Sequence, residues 1–204
     1  MSMFQILLLV MLLLGTAAGW YIFRRLRPMR PTSTPLVIEN IQKGGVLTLS
    51  DIDDEVEDLD MIVLGRHLYE EEGYQWFELE GEVGPEKKLW LCVERDDELE
   101  VSVTLRKIDL ETLGLTPEDL TRFKKKESGR FSFQGAEYTF EEYGKATFYP
   151  HEDRANGKPF SYWEFVCEAQ QRGITIERWQ RGGVECHLSQ MLKPGQYQVH
   201  TIQG

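Results

Sequence analysis

Hydrophobic and polar positions alternate along most of the chain after residue 40. In "ELEVSVTLRKI", Leu99, Val101, Val103 and Leu105 alternate with Glu100, Ser102, Thr104 and Arg106. A period of two puts the two sets on opposite faces, so this segment predicts a half-buried β-strand. "VLTL", "MIVLG", "RHLYE", "QWFELE" and "KLWLCVE" come before it. "GRFSFQ", "AEYTFEEYG", "KATFYP", "SYWEFVCEA", "GITIERWQ", "VECHLS" and "YQVHTI" come after it. Each is short and bounded by Gly, Pro or clustered charge. The "QG" before "AEYTF" and the "RGG" at Arg181 to Gly183 have the chemistry of hairpin turns. Many short strands, regular turns and few helices predict an antiparallel, mainly-β body.

One segment breaks the rhythm. In "LTPEDLTRFKKK", Thr116 suits an N-cap and Pro117 the first helical position. Glu118 and Asp119 lie at the positive end of the dipole and "RFKKK" at the other, so a short helix links two halves. "SDIDDEVEDLD" reads either way. Ile52, Val56 and Leu59 have helical spacing after Ser50, and the same residues suit an acidic loop.

The halves echo each other. Gly65-Arg66 matches Gly144-Lys145, and Tyr69 matches Phe148. Trp76-Phe77-Glu78-Leu79 matches Tyr162-Trp163-Glu164-Phe165, and Val93-Glu94-Arg95 matches Ile176-Glu177-Arg178. Two similar strand meanders, each with an aromatic face it cannot cover alone, are expected to pack as a sandwich or barrel-like body around one core. "GRHLYEEEGYQWFELE", "LWLCVE", "YGKATFYP", "FSYWEFV" and "GITIERWQ" resemble the bacterial domain-of-unknown-function family DUF 4178. The resemblance implies a mainly-β fold and an association with the membrane envelope, and it supplies no catalytic residues. The first half departs from the resemblance by inserting the acidic run.

The N-terminus has a different pattern. "FQILLLVMLLLGTAAGWYIF", Phe4 to Phe23, carries no charge and has the length of a helix crossing a bilayer, about 20 residues. Trp20 and Tyr21 suit the headgroup layer, and Arg24, Arg25, Arg27 and Arg30 follow. A cleaved signal peptide is the competing reading, but it wants positive charge before the apolar run, and "MSMFQ" has none. The arginines are expected to stay in the cytoplasm of a bacterium, making the chain a single-pass protein of the inner membrane. Pro28, Pro31 and Pro35 make the next stretch an extended spacer, its bases near anionic headgroups.

Charge changes the choice of partners. The formal net charge is −11, which disfavours nucleic acid and suits a cation, a polyamine or a basic protein surface. Cys92, Cys167 and Cys186 form no CxxC pair, and buried reduced thiols are the simplest reading. His67, His151, His187 and His200 show no metal-site spacing, and adjacent Cys186 and His187 point to opposite faces of a strand. "HEDR" at His151 to Arg154 reads as a polar loop. Asp51, Asp53, Asp54 and Glu55 lack the glycine and late glutamate of a calcium loop and read as a solvated acidic face. Glu78 and Glu164 sit beside aromatics in matching places. A glycosidase uses such pairs, but the expectation here is an outward-facing strand position or a partner such as Arg66 or Lys145. Trp76, Trp90, Trp163 and Trp179 are expected in the core.

The resulting division is a spanning helix at 4–23, a basic, Pro-rich linker at 24–40, a β repeat at 41–108, a linking helix segment at 109–127 and a second repeat at 128–204. The expected function is a membrane-anchored, non-catalytic interaction or scaffold module that holds a membrane-associated protein. The alternative is a sensor binding a polyamine or divalent cation through its acidic surface. No catalytic, cofactor or metal residue is assigned from the sequence.

Overall fold

The computed structural model describes residues 37–52, 58–84 and 87–200, and in them the alternating segments form eleven antiparallel strands. These are β1 (Val46–Leu49), β2 (Leu59–Glu71), β3 (Tyr74–Val83), β4 (Lys87–Arg95) and β5 (Leu99–Ile108) in the first half. The second half holds β6 (Arg130–Phe133), β7 (Ala136–Tyr149), β8 (Lys158–Cys167), β9 (Arg172–Trp179) and β10 (Val184–Met191). A last short strand, β11 (Tyr197–His200), returns to pair with β1. The expected spanning helix at 4–23 and residues 24–36 of the linker expected at 24–40 lie outside the described residues, as do residues 53–57 of the acidic run. Among the described residues no helix is long and apolar enough to cross a membrane.

The linking helix is present as α1 (Pro117–Lys126). The Thr116 hydroxyl accepts from the Asp119 N–H, and the Asp119 carboxylate accepts from the Thr116 N–H at 2.8 Å, closing a capping box. The helix buries Leu120 and Phe123. Two other expectations change. "MIVLG" and "RHLYE" are one strand, β2, and "AEYTFEEYG" and "KATFYP" are one strand, β7. Gly65 and Gly144 are therefore strand-interior residues rather than boundaries. Close packing explains Gly144, because a Cβ there would lie 2.3 Å from the Tyr162 ring.

The two halves join edge to edge. The sheet runs β11-β1-β2-β3-β4-β5-β10-β9-β8-β7-β6, and β2 also pairs with β7. This second seam closes a ring of eight strands, β2-β3-β4-β5-β10-β9-β8-β7. Each half contributes the same four consecutive strands, and like meets like at both seams, β5 with β10 and β2 with β7. The second seam centres on the pair Tyr69 and Phe148, the matched aromatics of the repeated phrase.

The single shared core of the sequence reading is replaced by three clusters. Leu47, Met61, Leu79, Leu91, Val93 and Val103 belong to one, outside the ring under the first half. Tyr138, Trp163, Phe165, Ile174, Ile176 and Phe123 belong to a second, under the other half and α1. The third is the aromatic seam, with Tyr69, Phe148, Trp76, Phe160, Tyr162 and Trp179. The expectation of one core failed because each half has its own cover: Ile38, Ile41, β1 and β11 on one side, α1 and β6 on the other. The aromatic seam is shared by the halves, and Leu105 on β5 packs against both outer cores.

Candidate functional site

Strand alternation decides what faces the interior of the ring. On β4, Leu89, Leu91 and Val93 belong to the outer core, so Trp90, Cys92 and Glu94 face inward. By the same parity β3 turns Trp76, Glu78 and Glu80 inward, β8 turns Tyr162 and Glu164, and β9 turns Thr175, Glu177 and Trp179. The ring therefore has an apolar outside, covered by its own cores, and an interior of carboxylates and aromatics. This overturns the outward placing expected for Glu78 and Glu164. Neither pairs with Arg66 or Lys145. Arg66 is bound to Glu152 and the Glu39 carbonyl, and the Lys145 N–H donates to Glu71.

The ladders set the neighbours. Glu78 is opposed by His67 on β2 and Cys92 on β4. Glu164 lies between Glu142 and Thr175, and Glu177 between Tyr162 and Glu185. The matching of Trp76 with Tyr162 and of Val93 with Ile176 is preserved, since Phe77 faces Val93 and Trp163 faces Ile176. The matching of Gly65 with Gly144 is not. Trp76 faces Tyr69, whereas Tyr162 faces Gly144, so β7 is displaced by four residues relative to the sequence echo.

Burial acts strongly on this interior. Desolvation raises the Glu78 carboxyl to about 7, against the opposing effect of the Tyr69 hydroxyl, which donates to it at 2.9 Å. Desolvation, then the charges of Glu142 and Glu94, raise Glu164 to about 8. Desolvation and Glu78 raise Glu177 to about 8. Desolvation, then the charges of Glu100 and Glu142, raises Glu94, and burial among Glu78, Glu94, Glu164 and Glu177 pushes the Cys92 thiol well up. All three cysteines are free, as expected, and burial disfavours the thiolate of Cys92. The Tyr162 hydroxyl lies 2.5 Å from Glu71 and 2.8 Å from Glu142, joining the end of β2 to the middle of β7.

Three potential metal ligands meet at the edge of this interior. Glu185 and His187 are two residues apart on β10, hence on one face, and Glu177 opposes Glu185 across the hairpin. His187 Nε2 lies 3.7 Å from Glu185 and 3.9 Å from Glu177, and one ligand atom from each residue falls within 4.8 Å of the others. Burial and Lys107 lower the His187 pKa, which leaves the imidazole neutral and able to bind a metal. Lys107, opposite His187 on β5, donates to Glu185 at 2.9 Å. The sequence reading separated His187 from Cys186 correctly, since Cys186 is buried in the outer core. It had no means of finding the partners, because Glu177 reaches the site only through the hairpin register.

The other candidates go elsewhere. The "HEDR" loop is docked on β2 by Glu152 with Arg66 and by Arg154 with Glu70 at 2.8 Å. The His151 N–H donates to His67 Nδ1, which puts the proton of the buried His67 on Nε2, 3.5 Å from Glu80. His200 contacts the Thr48 hydroxyl. Of the acidic run Asp51, Asp53, Asp54 and Glu55, only Asp51 lies within the described residues, and it is exposed. Trp163 is core, with its indole N–H on the Leu120 carbonyl, while Trp76, Trp90 and Trp179 line the interior. A family model described as a domain of unknown function (DUF4178) matches residues 55–194. No curated protein and no solved structure matches the chain.

Proposed function

The chain belongs to the DUF4178 family, a domain of unknown function, and we propose that it is a membrane-tethered, non-catalytic sensor that takes up a divalent cation. The observation that carries this reading is the convergence of Glu177, Glu185 and His187 within 4.8 Å. One imidazole nitrogen and two carboxylates suit a first-row ion such as Zn²⁺ or Mn²⁺ better than Mg²⁺ or Ca²⁺, which favour all-oxygen shells. The carboxylate-lined interior behind the group supplies negative potential once its protons are displaced. Binding is therefore coupled to proton release.

Titration calorimetry of the full chain with ZnCl₂ and MnCl₂ is the test. Saturable binding of one ion is expected, with loss on His187→Ala. Lys107→Ala removes the competing ammonium and is expected to tighten binding by about tenfold. Absence of saturable binding to either ion would remove the reading. The carboxylates beside Trp76 and Trp179 support a polyamine as a second ligand class, and a parallel spermidine titration separates the two.

The tether rests on the uncharged run Phe4 to Phe23 and the arginines behind it. In this reading the β domain faces the cytoplasm of a bacterial inner membrane, and its occupancy is passed to a membrane-associated protein partner. Protease treatment of intact cells tests the orientation, and cleavage of the β domain from outside would overturn it.

A further inference from the structure

Two adjoining depressions open on the outer face of the second half, where α1 crosses β8 and β9. One, of about 550 Å³, is lined by Thr121, Lys124, Lys125, Tyr143, Ser161, Trp163 and Arg178. The other, of about 430 Å³, shares Thr121 and Arg178 and is completed by Pro117, Glu118 and Val184. The floor is ordered by the ladder: Ser161 on β8 is opposed by Lys145 on β7 and Arg178 on β9, a row of base, hydroxyl and base across three strands. Above it, Lys124 Nζ donates to the Tyr143 hydroxyl at 2.9 Å, and that hydroxyl lies 3.4 Å from Ser161 Oγ. The Arg178 guanidinium lies 5.0 Å over the Trp163 ring.

The charge here is the reverse of the rest of the molecule. The chain carries −11 overall, yet Lys124, Lys125 and Arg178 line one groove and Lys145 flanks its floor beside Ser161. Several bases elsewhere are matched: Arg66 with Glu152, Lys88 with Glu80, Arg95 with Glu39, Lys107 with Glu185 and Arg154 with Glu70. Among the described residues none of the four groove cations forms an ion pair with a carboxylate, and Glu118 is the one acid on the walls. Four like charges held together by strand register and a capped helix repel one another, and a multivalent anion relieves that repulsion. A guanidinium fork, two ammonium groups and hydroxyls beside an aromatic face match the oxygens of a phosphate with an organic body attached. The volume is that of a small-molecule site.

We infer that the groove between α1 and strands β8 and β9 seats a phosphate group, carried either by a lipid headgroup or by a soluble phosphorylated molecule. The site is separate from the Glu177, Glu185 and His187 group, which lies on the opposite face of the same sheet, and it does not depend on metal binding.

Lysine acetylation of the full chain, read by mass spectrometry, tests the inference in three arms. These are inorganic phosphate, phosphatidylcholine vesicles, and vesicles of equal phosphatidylcholine and phosphatidylglycerol. Protection of Lys124 and Lys125 by about fivefold or more is expected in at least one phosphate-bearing arm, relative to unprotected Lys87 and Lys88. Protection by inorganic phosphate assigns a soluble ligand. Protection only by the phosphatidylglycerol vesicles assigns a headgroup. Arg178→Gln, which keeps both labelled lysines, is expected to reduce the protection, and its fold is checked by near-UV circular dichroism. Labelling of Lys124 and Lys125 unchanged in every arm, or protection that persists fully in a folded Arg178→Gln chain, would overturn the inference.

Discussion

Beneath the first half of the ring the outer core is aliphatic, running through Leu47, Leu49, Met61, Val63, Leu79, Leu91, Val93 and Val103. Beneath the second half the corresponding place is filled by Tyr138, Phe140, Trp163, Phe165 and Phe123. Strand order and seams are the same in both halves, so the ring does not depend on which side chains fill its outer cores. What differs is the cover. Short apolar segments, Ile38 to Ile41 and β1 with β11, close the aliphatic core. The wider aromatic core needs a helix, and α1 brings Phe123 edge-on to Phe165 with ring centres 5.2 Å apart. That same helix forms one wall of the basic groove, and the β9–β10 hairpin beside it carries the three potential metal ligands. Both candidate sites lie in the half that needed the extra element.

The largest break in this comparison comes from the cores. Phe165 contacts Phe123, Phe131 and Phe140 edge-on, and Phe165→Ala is expected to cost about 4 kcal/mol, with Leu91→Ala costing about 3 kcal/mol. Urea unfolding followed by circular dichroism measures both. Loss of α1 ahead of the first half is expected only for Phe165→Ala.

The glycines of the repeated phrase sharpen the comparison next. A Cβ at Gly144 would meet the Tyr162 ring at 2.3 Å, while one at Gly65 would meet the flexible His151 side chain at 3.1 Å. Gly144→Ala is expected to destabilise by about 2 kcal/mol and Gly65→Ala by less than half of that. Equal costs would mean that the displacement of β7 has no energetic weight.

The smallest effect is the one that depends on pH. Glu164 is raised to about 8 from an ordinary value of 4.5, so between those pH values the folded chain holds a proton that the unfolded chain has lost. Its contribution to stability is complete below pH 4.5 and disappears as the pH rises through 8. Glu164→Gln is expected to leave stability at pH 4.5 unchanged and to raise it at pH 8.5 by about 1–2 kcal/mol, the gain being moderated by solvent in the interior. A thermal melt at each pH measures this. The equivalent variant in the first half, Glu78→Gln, is expected to gain less, because its carboxyl is raised only to about 7 and a glutamine oxygen accepts a weaker bond from Tyr69 than the carboxylate does.

Much of the fold was legible before any coordinates. The alternation of Leu99, Val101, Val103 and Leu105 is a local steric property, and it placed β5 correctly. Thr116 with Pro117 and Asp119 announced α1 for the same reason, since a cap is completed within four residues. The repeated aromatics pointed to a surface shared by the halves, and Tyr69 and Phe148 do meet, but edge to edge on paired strands rather than around one core. Glycine misled at residues 65 and 144, because a residue that can end a strand can also make room inside one for a ring. The outward placing of Glu78 and Glu164 failed on a related point. Alternation identifies two faces, and the apolar one was taken as the interior, whereas here it faces the outer cores.

The sequence by itself determined the strands, their alternation, the capped helix and the presence of two related halves, because each depends on contacts within a few residues. Only the tertiary structure decided that β2 and β7 close a ring, that the carboxylates face inward, and that Glu177 meets His187 while Lys145, Ser161 and Arg178 fall in a row. Those arrangements are set by register between strands far apart in the chain. A shift of one residue would turn each of these side chains to the other face, and no local pattern records which register the packing selects.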